Sequence, residues 1–239
     1  MGKLRGAYII QFTYMISENA EKIQDKLGLS VILVAVTKGR SSDQVLSAYK
    51  AGVKIFGENR VQEAQKKYAL LPVPRTQYEL HMIGHLQTNK VKNAVFLFDM
   101  IQSVDSLRLL RSIELEARRI GKVMRVLIQV NISKDPKKYG IMPEYLFEFF
   151  RQAHELLCSP YLVVEGLMTI VEHTEDVEKR RPYFRAMKNI FDDIKNLFDN
   201  EHIENVRMRY LSMGMSEDFE VAVSSGANMV RVGRALFVL

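Results

Sequence analysis

The sequence predicts an α/β protein folded as a single (β/α)8 TIM barrel with an extra N-terminal helix. Eight short apolar segments alternate with longer amphipathic segments, a pattern typical of a parallel sheet built from βα units. The segments at 31–36 and 126–130 are nearly continuous apolar runs, as expected for strands buried on both faces. No G-x-G-x-x-G motif follows the first strand, and eight units within 239 residues fit a closed barrel better than an open doubly wound sheet.

Apolar spacing and capping residues set the predicted element boundaries. Ser41 or Ser42 is expected to cap the helix after the first strand, and Gly121 to end the helix before the fifth strand. Residues 1–30 are predicted to form an N-terminal helical extension, and 31–239 the barrel domain. The predicted strands are 31–36, 53–56, 79–84, 99–104, 123–130, 162–168, 206–212 and 228–233, and the predicted helices include 105–120, 143–157, 176–199 and 217–226, with others beginning near 42 and 60.

Composition and charge narrow the class of protein. The net charge of +6 and the pI of about 9.3 favour anionic partners, but no basic helix or aromatic-interleaved basic stripe indicates nucleic-acid binding. No apolar run approaches a membrane span and no signal peptide is evident, so we expect a cytoplasmic protein. The single cysteine, Cys158, lies in an apolar stretch and is expected to be a small core or near-core residue.

Polar residues at the ends of predicted strands are the candidate functional groups, because (β/α)8 barrels place their sites there. Lys38 follows the first strand, where burial lowers the pKa of a lysine and favours Schiff-base chemistry; the alternative is an ordinary lysine extending to water. Ser212 and Gly233 end the seventh and eighth strands, where loops often bind phosphate; the alternative is a capping serine and a turn glycine. Arg231 alternates with valines and should point into the barrel, paired with a carboxylate or a cofactor.

Other polar pairs support no separate chemistry. His81 and His85 are four residues apart but straddle a predicted strand end, and no further ligand pattern accompanies them, so no metal site is predicted. Glu58 and Glu63 are candidates for paired carboxylates, but their loop position favours solvated or helix-capping roles. No nucleophile-elbow motif supports a Ser–His–Asp triad.

Six segments at the strand ends carry a family resemblance, in order and over nearly the whole chain. They resemble the pyridoxal 5′-phosphate (PLP) homeostasis proteins, fold-type III PLP-binding barrels related to the N-terminal domain of alanine racemase. The matching segments are VAVTK (34–38), FGENRVQE (56–63), HMIGHLQTNK (81–90), VNIS (130–133) with Lys138 and Gly140 after it, GLMTI (166–170) and LSMGMSEDFEVAVSSGANMVRVGRALF (211–237).

The resemblance implies a cofactor and a role for each site residue. PLP would be the cofactor, held covalently by Lys38 as a Schiff base. Arg231 would approach the pyridine nitrogen and keep it unprotonated, which weakens the ring as an electron sink. The remaining implied contacts are Ser212, Gly233 and Arg234 at the phosphate, Met213 near the phosphate loop, and Asn59 and Ile83 lining the ring.

Two functions remain open from the sequence. The first is a PLP carrier or buffer in intracellular PLP homeostasis, with PLP-dependent apo-enzymes as possible recipients and no strong catalytic activity. The second is an amino-acid racemase-like PLP enzyme. Alanine racemases resemble this chain only in their barrel and take a second base from a further β-domain, for which no room follows residue 239, so we expect the carrier. We also expect a monomer, with no catalytic residues and no metal.

Overall fold

A computed structural model describes residues 2–28, 30–172, 174–201 and 203–237. Eight parallel strands form a closed barrel in sequence order, and the eighth pairs with the first. This confirms the predicted (β/α)8 fold with its N-terminal helix. The strands are β1 (Ile32–Val36), β2 (Ile55–Glu58), β3 (Glu79–Met82), β4 (Met100–Val104), β5 (Met124–Val130), β6 (Leu162–Thr169), β7 (Val206–Ser212) and β8 (Met229–Val232).

Helices surround the barrel, and the capping residues identified in the sequence begin and end two of them. Ser41 caps the second helix and forms a capping box with Gln44. Gly121 follows the fifth helix with a φ of +68°, the left-handed conformation that ends helices. The helices are α1 (Gly2–Leu27), α2 (Ser42–Lys50), α3 (Val61–Tyr68), α4 (Val91–Leu97), α5 (Leu107–Arg119), α6 (Leu146–Leu157), α7 (Arg181–Glu201), α8 (Phe219–Ser224) and α9 (Arg234–Phe237).

The N-terminal helix α1 packs on the end of the chain. The Asn19 side-chain amide donates to the carbonyl of Leu236 at 3.2 Å, and Lys26 pairs with Glu220 of α8 at 2.7 Å. Both contacts close the side of the barrel where β8 meets β1. Within the described residues, no helix combines the length and the apolar character needed to span a membrane.

Side chains on each strand alternate between the barrel interior and the surrounding helices. The interior is filled by Val34, Met100, Leu127, Met168 and Met229, which form their own buried cluster. The opposite faces of the strands pack against the helices in a larger core. Because the period is two residues, the side chain two positions after Met229 also points inward, which confirms the predicted orientation of Arg231.

The fold differs from the sequence predictions at β2 and at Cys158. The second strand is Ile55–Glu58 and not 53–56, because its end is formed by Gly57 and the fully buried Glu58, which carry no apolar signal. Cys158 is exposed and not in the core. It directly follows the last residue of α6, and its neighbours Leu157 and Ser159 take the buried positions.

A β-bulge in the central strands makes one glycine indispensable. Gly166 in β6 has a φ of +146°, and a Cβ there would lie 1.9 Å from the carbonyl oxygen of Tyr210 in β7. Gly166→Ala should therefore lower the free energy of unfolding by more than about 3 kcal/mol, measured by urea denaturation. Gly121→Ala is the control, since it also has positive φ but meets no atom within 4 Å, and should cost only about 1 kcal/mol. Equal losses in the two variants would contradict the steric argument.

Candidate functional site

A cavity of about 270 Å³ opens at the carboxyl end of the barrel, where β1 meets β8. Four of the eight predicted site residues line it: Lys38, Arg231, Gly233 and Arg234. Val36, Val171, Arg180, Met215, Ser216 and Glu217 complete the lining. The lining therefore combines apolar side chains with four cationic ones, and Glu217 supplies the carboxylate.

Arg231 is the most unusual group of this cavity. Its side chain is buried, and it donates hydrogen bonds to the Ser212 hydroxyl at 2.6 Å and to the Thr169 carbonyl at 2.8 Å. Burial lowers the pKa of Arg231 to about 10, a value that still leaves the group charged at neutral pH. Among the described residues, no carboxylate lies within ion-pairing distance of this guanidinium. The predicted partner is thus not a strand-end carboxylate, and the cation remains available to an anionic or acceptor group.

Backbone amides at the end of β8 form a second binding element. The N–H groups of Gly233 and Ala235 both donate to the Ser216 hydroxyl, at 3.2 and 3.3 Å. Gly233 lies against β1, where a Cβ would be 3.2 Å from the Cβ of Val36. Two amides that converge on one oxygen can bind a phosphate oxygen in the same way. The loop after β8 therefore offers two converging amide donors beside Ser216, and its binding of phosphate stays a prediction.

A chain of hydrogen bonds descends from Arg231 through the barrel interior. The Ser212 hydroxyl accepts from Arg231 and donates to the Gln102 side-chain oxygen at 2.7 Å. The Gln102 amide lies 2.9 Å from Nδ1 of His81, and Nε2 of His81 lies 3.1 Å from Glu79. Because the Gln102 amide is a donor, Nδ1 of His81 accepts and Nε2 carries the proton. All the bonds in this chain therefore point from the arginine toward the carboxylate.

The lower end of this chain is charged and paired. Arg125 donates to Glu79 at 2.8 Å and to Glu165 at 2.6 Å. The hydrogen bond from His81, together with Arg125, lowers the pKa of Glu79 to about 2. Complete burial lowers the pKa of His81, and the hydrogen bond to Glu79 only partly opposes this effect. His81 is therefore a neutral structural residue, and the charge of Glu79 is paired with Arg125.

Lys38 lies two residues beyond β1, at the edge of the cavity. Its side chain is exposed, so the burial that we expected at this strand end was wrong. Among the described residues, no hydrogen bond or ion pair engages its ammonium group. The adjacent residues Thr37 and Gly39, however, are held by hydrogen bonds with side chains of α3.

The other four predicted site residues do not line this cavity, and of these Ser212 contacts it only through Arg231. Ile83 is buried and rests on Gly57, where a Cβ would lie 2.9 Å from its Cδ1 atom. Asn59 lines a separate depression of about 530 Å³ after β2 and β3, and Met213 is buried in the core between the sheet and the helices. Their roles in the site stay predictions.

Sequence reasoning missed Ser216, Gln102, Thr169 and Arg180. Ser216 is the second serine of the SMGMS segment, and its position in the loop after β7 was the one available signal. Arg180 falls within the predicted helix 176–199 and was not singled out, but it is buried and pairs with Asp218 at 2.7 Å. Glu58 was expected to be solvated or to cap a helix, and it is fully buried at the end of β2.

Fold and site together define a class: (β/α)8-barrel proteins with a lysine after the first strand and a loop with converging backbone amides after the last. The sequence model of the alanine racemase N-terminal domain matches residues 14–239. Solved structures of an alanine racemase from Clostridium difficile (17% identity, TM-score 0.70) and of a lysine/ornithine decarboxylase from Vibrio vulnificus (14%, 0.69) share the fold. The chain covers only 56% and 62% of those two longer proteins.

Closer relatives are named pyridoxal phosphate homeostasis proteins. The Aquifex aeolicus protein is 40% identical over 86% of this chain and 85% of its own length, and the Haemophilus influenzae protein is 35% identical over 92% and 90%. PipY of Synechococcus elongatus, solved without and with PLP, has TM-scores of 0.84 and 0.80, with 33% and 32% identity over 93% of this chain and all of PipY. The chain belongs to the pyridoxal phosphate homeostasis protein family, as its strand-end motifs predict.

The buried His81 should make stability depend on pH in a defined direction. Its folded-state pKa is below the ordinary value of about 6.5, so as pH falls through that value the unfolded chain takes up a proton and the folded protein does not. Between pH 7.5 and 5.5 the wild type should therefore lose about 1 kcal/mol more unfolding free energy than His81→Gln, which does not titrate. Urea denaturation at each pH measures this difference. Parallel profiles for the two proteins would show that folding does not lower the pKa of His81.

Proposed function

We propose that this protein binds PLP in the cavity between β1 and β8, with Lys38 as the point of covalent attachment, and that it serves PLP homeostasis as a carrier. One observation carries the proposal: three groups border one cavity. They are Lys38 and the buried Arg231, neither of which has a carboxylate partner among the described residues, and Gly233, whose amide converges with that of Ala235 on Ser216. The names of its relatives and the PLP complex of PipY point to the same ligand.

The residues that line the cavity fit PLP. Its cations are Lys38, Arg180, Arg231 and Arg234, against the Glu217 carboxylate, which favours a dianionic phosphate. The amides of Gly233 and Ala235 supply the oriented donors that phosphate requires. Ser212 fixes the position of the Arg231 guanidinium by accepting its hydrogen bond. When bound, PLP supplies an aldehyde that a lysine amine takes up as a Schiff base.

Each protein group would then have a separate task. Lys38 holds the cofactor covalently, Arg231 faces the pyridine nitrogen, and the loop of Gly233 and Arg234 holds the phosphate. Ile83 and Asn59 would approach the ring from the ends of β3 and β2, and Met213 would support the phosphate loop from below. A guanidinium cannot give a proton to the ring nitrogen, so the ring keeps a low capacity to accept electrons.

The same geometry argues against racemase-like catalysis as the main activity. Racemisation needs an acid or base on each face of the bound substrate. Among the described residues that line the cavity, Glu217 is the carboxylate beside Lys38, and no tyrosine, histidine or cysteine accompanies it. Glu217 is itself held by Arg180 and Arg234. Delivery of PLP to apo-enzymes, a monomeric state and a cytoplasmic location stay predictions from the sequence.

Covalent attachment can be located directly. Wild-type protein incubated with PLP and then reduced with borohydride should carry one phosphopyridoxyl group on Lys38, identified by mass spectrometry of peptides. Lys38→Ala should lose this group and the visible absorbance of bound PLP. Lys90→Ala is the control, because Lys90 lines the neighbouring depression and should leave both signals intact. Labelling that persists in Lys38→Ala would place the attachment elsewhere.

The carrier and the enzyme differ in what they do to an amino acid. The PLP-loaded protein, incubated with L-alanine in D2O, should show no appreciable exchange of the α-proton by NMR. Among the described residues that line the cavity, the one possible second base is Glu217, which is held by two arginines. An alanine racemase assayed alongside provides the positive control. Rapid exchange that disappears in Lys38→Ala would favour the racemase-like alternative.

A further inference from the structure

A buried ionic cluster lies behind Lys38, on the side of β1 and β2 that faces α3. We call Glu58, Glu63 and Lys67 the α3 clamp, since two of the three belong to that helix. The Lys67 ammonium donates to the Glu58 carboxylate at 2.6 Å and to the Glu63 carboxylate at 3.0 Å. Lys67 and Glu58 are almost completely buried, whereas about a third of the Glu63 side chain is exposed. None of the three lines the cavity described above.

The clamp binds the residues on both sides of Lys38. Before it, the carbonyl of Thr37 accepts from Lys67 at 2.6 Å, and the Thr37 hydroxyl donates to Glu58 at 2.7 Å. After it, the backbone N–H of Gly39 donates to Glu63 at 2.6 Å. Gly39 has a φ of +70°, a conformation open to glycine, and this turn directs its amide at the carboxylate. Lys38 is thus a free side chain on a fixed piece of backbone.

Stability alone does not account for this cluster. Burial raises the pKa of Glu58 even though Lys67 and Thr37 favour its charged form. Within the described part of the chain, the second oxygen of Glu58 is buried without a hydrogen-bond partner. Buried ion pairs of this kind are often no more stabilising than apolar residues of the same volume, so a gain in geometric precision is the better explanation.

The clamp is also distinct from the attachment site. The three protons of the Lys67 ammonium go to Thr37, Glu58 and Glu63, so the group has no proton or lone pair free for an aldehyde. The Gly39 amide and Lys67 hold the pKa of Glu63 below its ordinary value against the opposing effect of desolvation. Glu63 is therefore an anion at neutral pH. It accepts one hydrogen bond from the Gly39 amide and one from Lys67, and so connects the backbone after Lys38 to the Lys67–Glu58 ion pair.

We propose that Glu63 and Lys67 are positioning residues that fix the backbone of Thr37 and Gly39, so that the Lys38 amine is held in reach of the cofactor aldehyde. This inference rests on the proposed function. The hydrogen bond from Gly39 to Glu63 is its accessible component, because Glu63 lies at the surface and can be replaced without opening the core. Misplacement of a reacting group by a fraction of an ångström slows a reaction while leaving the binding of remote groups intact.

The test compares Glu63→Ala with Glu63→Gln. Glutamine keeps a side-chain oxygen for the Gly39 amide, whereas alanine removes it. With PLP as the probe, Glu63→Ala should slow covalent attachment to Lys38 about tenfold. The rate is measured by borohydride trapping at timed intervals and mass spectrometry of the peptides. Glu63→Gln should stay within about threefold of the wild type. Glu148→Ala is the matched control, because Glu148 is also a helix carboxylate with a cationic partner on its own helix, Arg151, but it lies on α6.

A second ligand separates positioning from a general loss of structure. 4′-Deoxypyridoxine 5′-phosphate has the ring and the phosphate of PLP but no aldehyde, so it should bind wild type and Glu63→Ala with equal affinity. Three results would each overturn the inference. The rate of attachment could be unchanged in Glu63→Ala, or it could fall equally in both Glu63 variants. The affinity of Glu63→Ala for the deoxy analogue could also fall by the same factor as its rate of attachment. Failure of the proposed function would look different, since the wild type itself would then carry no group on Lys38.

Discussion

The pairing of β1 with β8 is the constraint on which the rest of the site depends. Its register places Val34 beside Arg231 and Ala35 beside Val232, so the chain after β1 emerges next to the loop after β8. Lys38 and Gly233 therefore border one cavity although they lie near opposite ends of the sequence. The approach is close enough that Gly233 lies against Val36, where a Cβ would meet the carbonyl oxygen of Val36 at 3.3 Å. Without closure of the barrel, Lys38 and the loop after β8 would not border the same cavity.

Most of the fold was predictable because it rests on local patterns. Alternation along β8 fixed the inward direction of Arg231, and capping chemistry located Ser41 and Gly121. The strand-end motifs identified Lys38 and the loop after β8, which border the same cavity. These are signals that a single stretch of chain carries by itself.

The parts that escaped prediction depend on partners from elsewhere in the fold. Glu58 ends a buried strand because Lys67, on the following helix, neutralises it, and no local pattern announces that pairing. Gln102 belongs to β4 but bonds to Ser212 of β7, and Ser216 owes its position to the amides at the start of α9. A carboxylate or an amide in a sequence is normally assigned to solvent. Only the assembled barrel shows which of them water does not reach.

The barrel interior contains an apolar cluster and a chain of hydrogen-bonded polar side chains. Val34, Met100, Leu127, Met168 and Met229 fill its volume, and the hydrogen bonds from Arg231 to Glu79 pass among them. A buried polar network of this kind is tolerated because its members satisfy one another, and it favours a single arrangement over alternatives. Its consequence for the site is rigidity, since the guanidinium of Arg231 cannot turn without breaking bonds that run the depth of the barrel.

The Ser216 hydroxyl already occupies the amides of the loop that we propose for phosphate binding. It accepts from the amides of Gly233 and Ala235, so these donors are satisfied before any ligand arrives. An anion that takes over the amides exchanges one set of hydrogen bonds for another, and only the difference contributes to its affinity. Such a site behaves as a competition between an internal and an external ligand. The affinity for the anion then depends on how strongly the amides bind the Ser216 hydroxyl, and a small change in those hydrogen bonds shifts the loop toward binding or release of the anion.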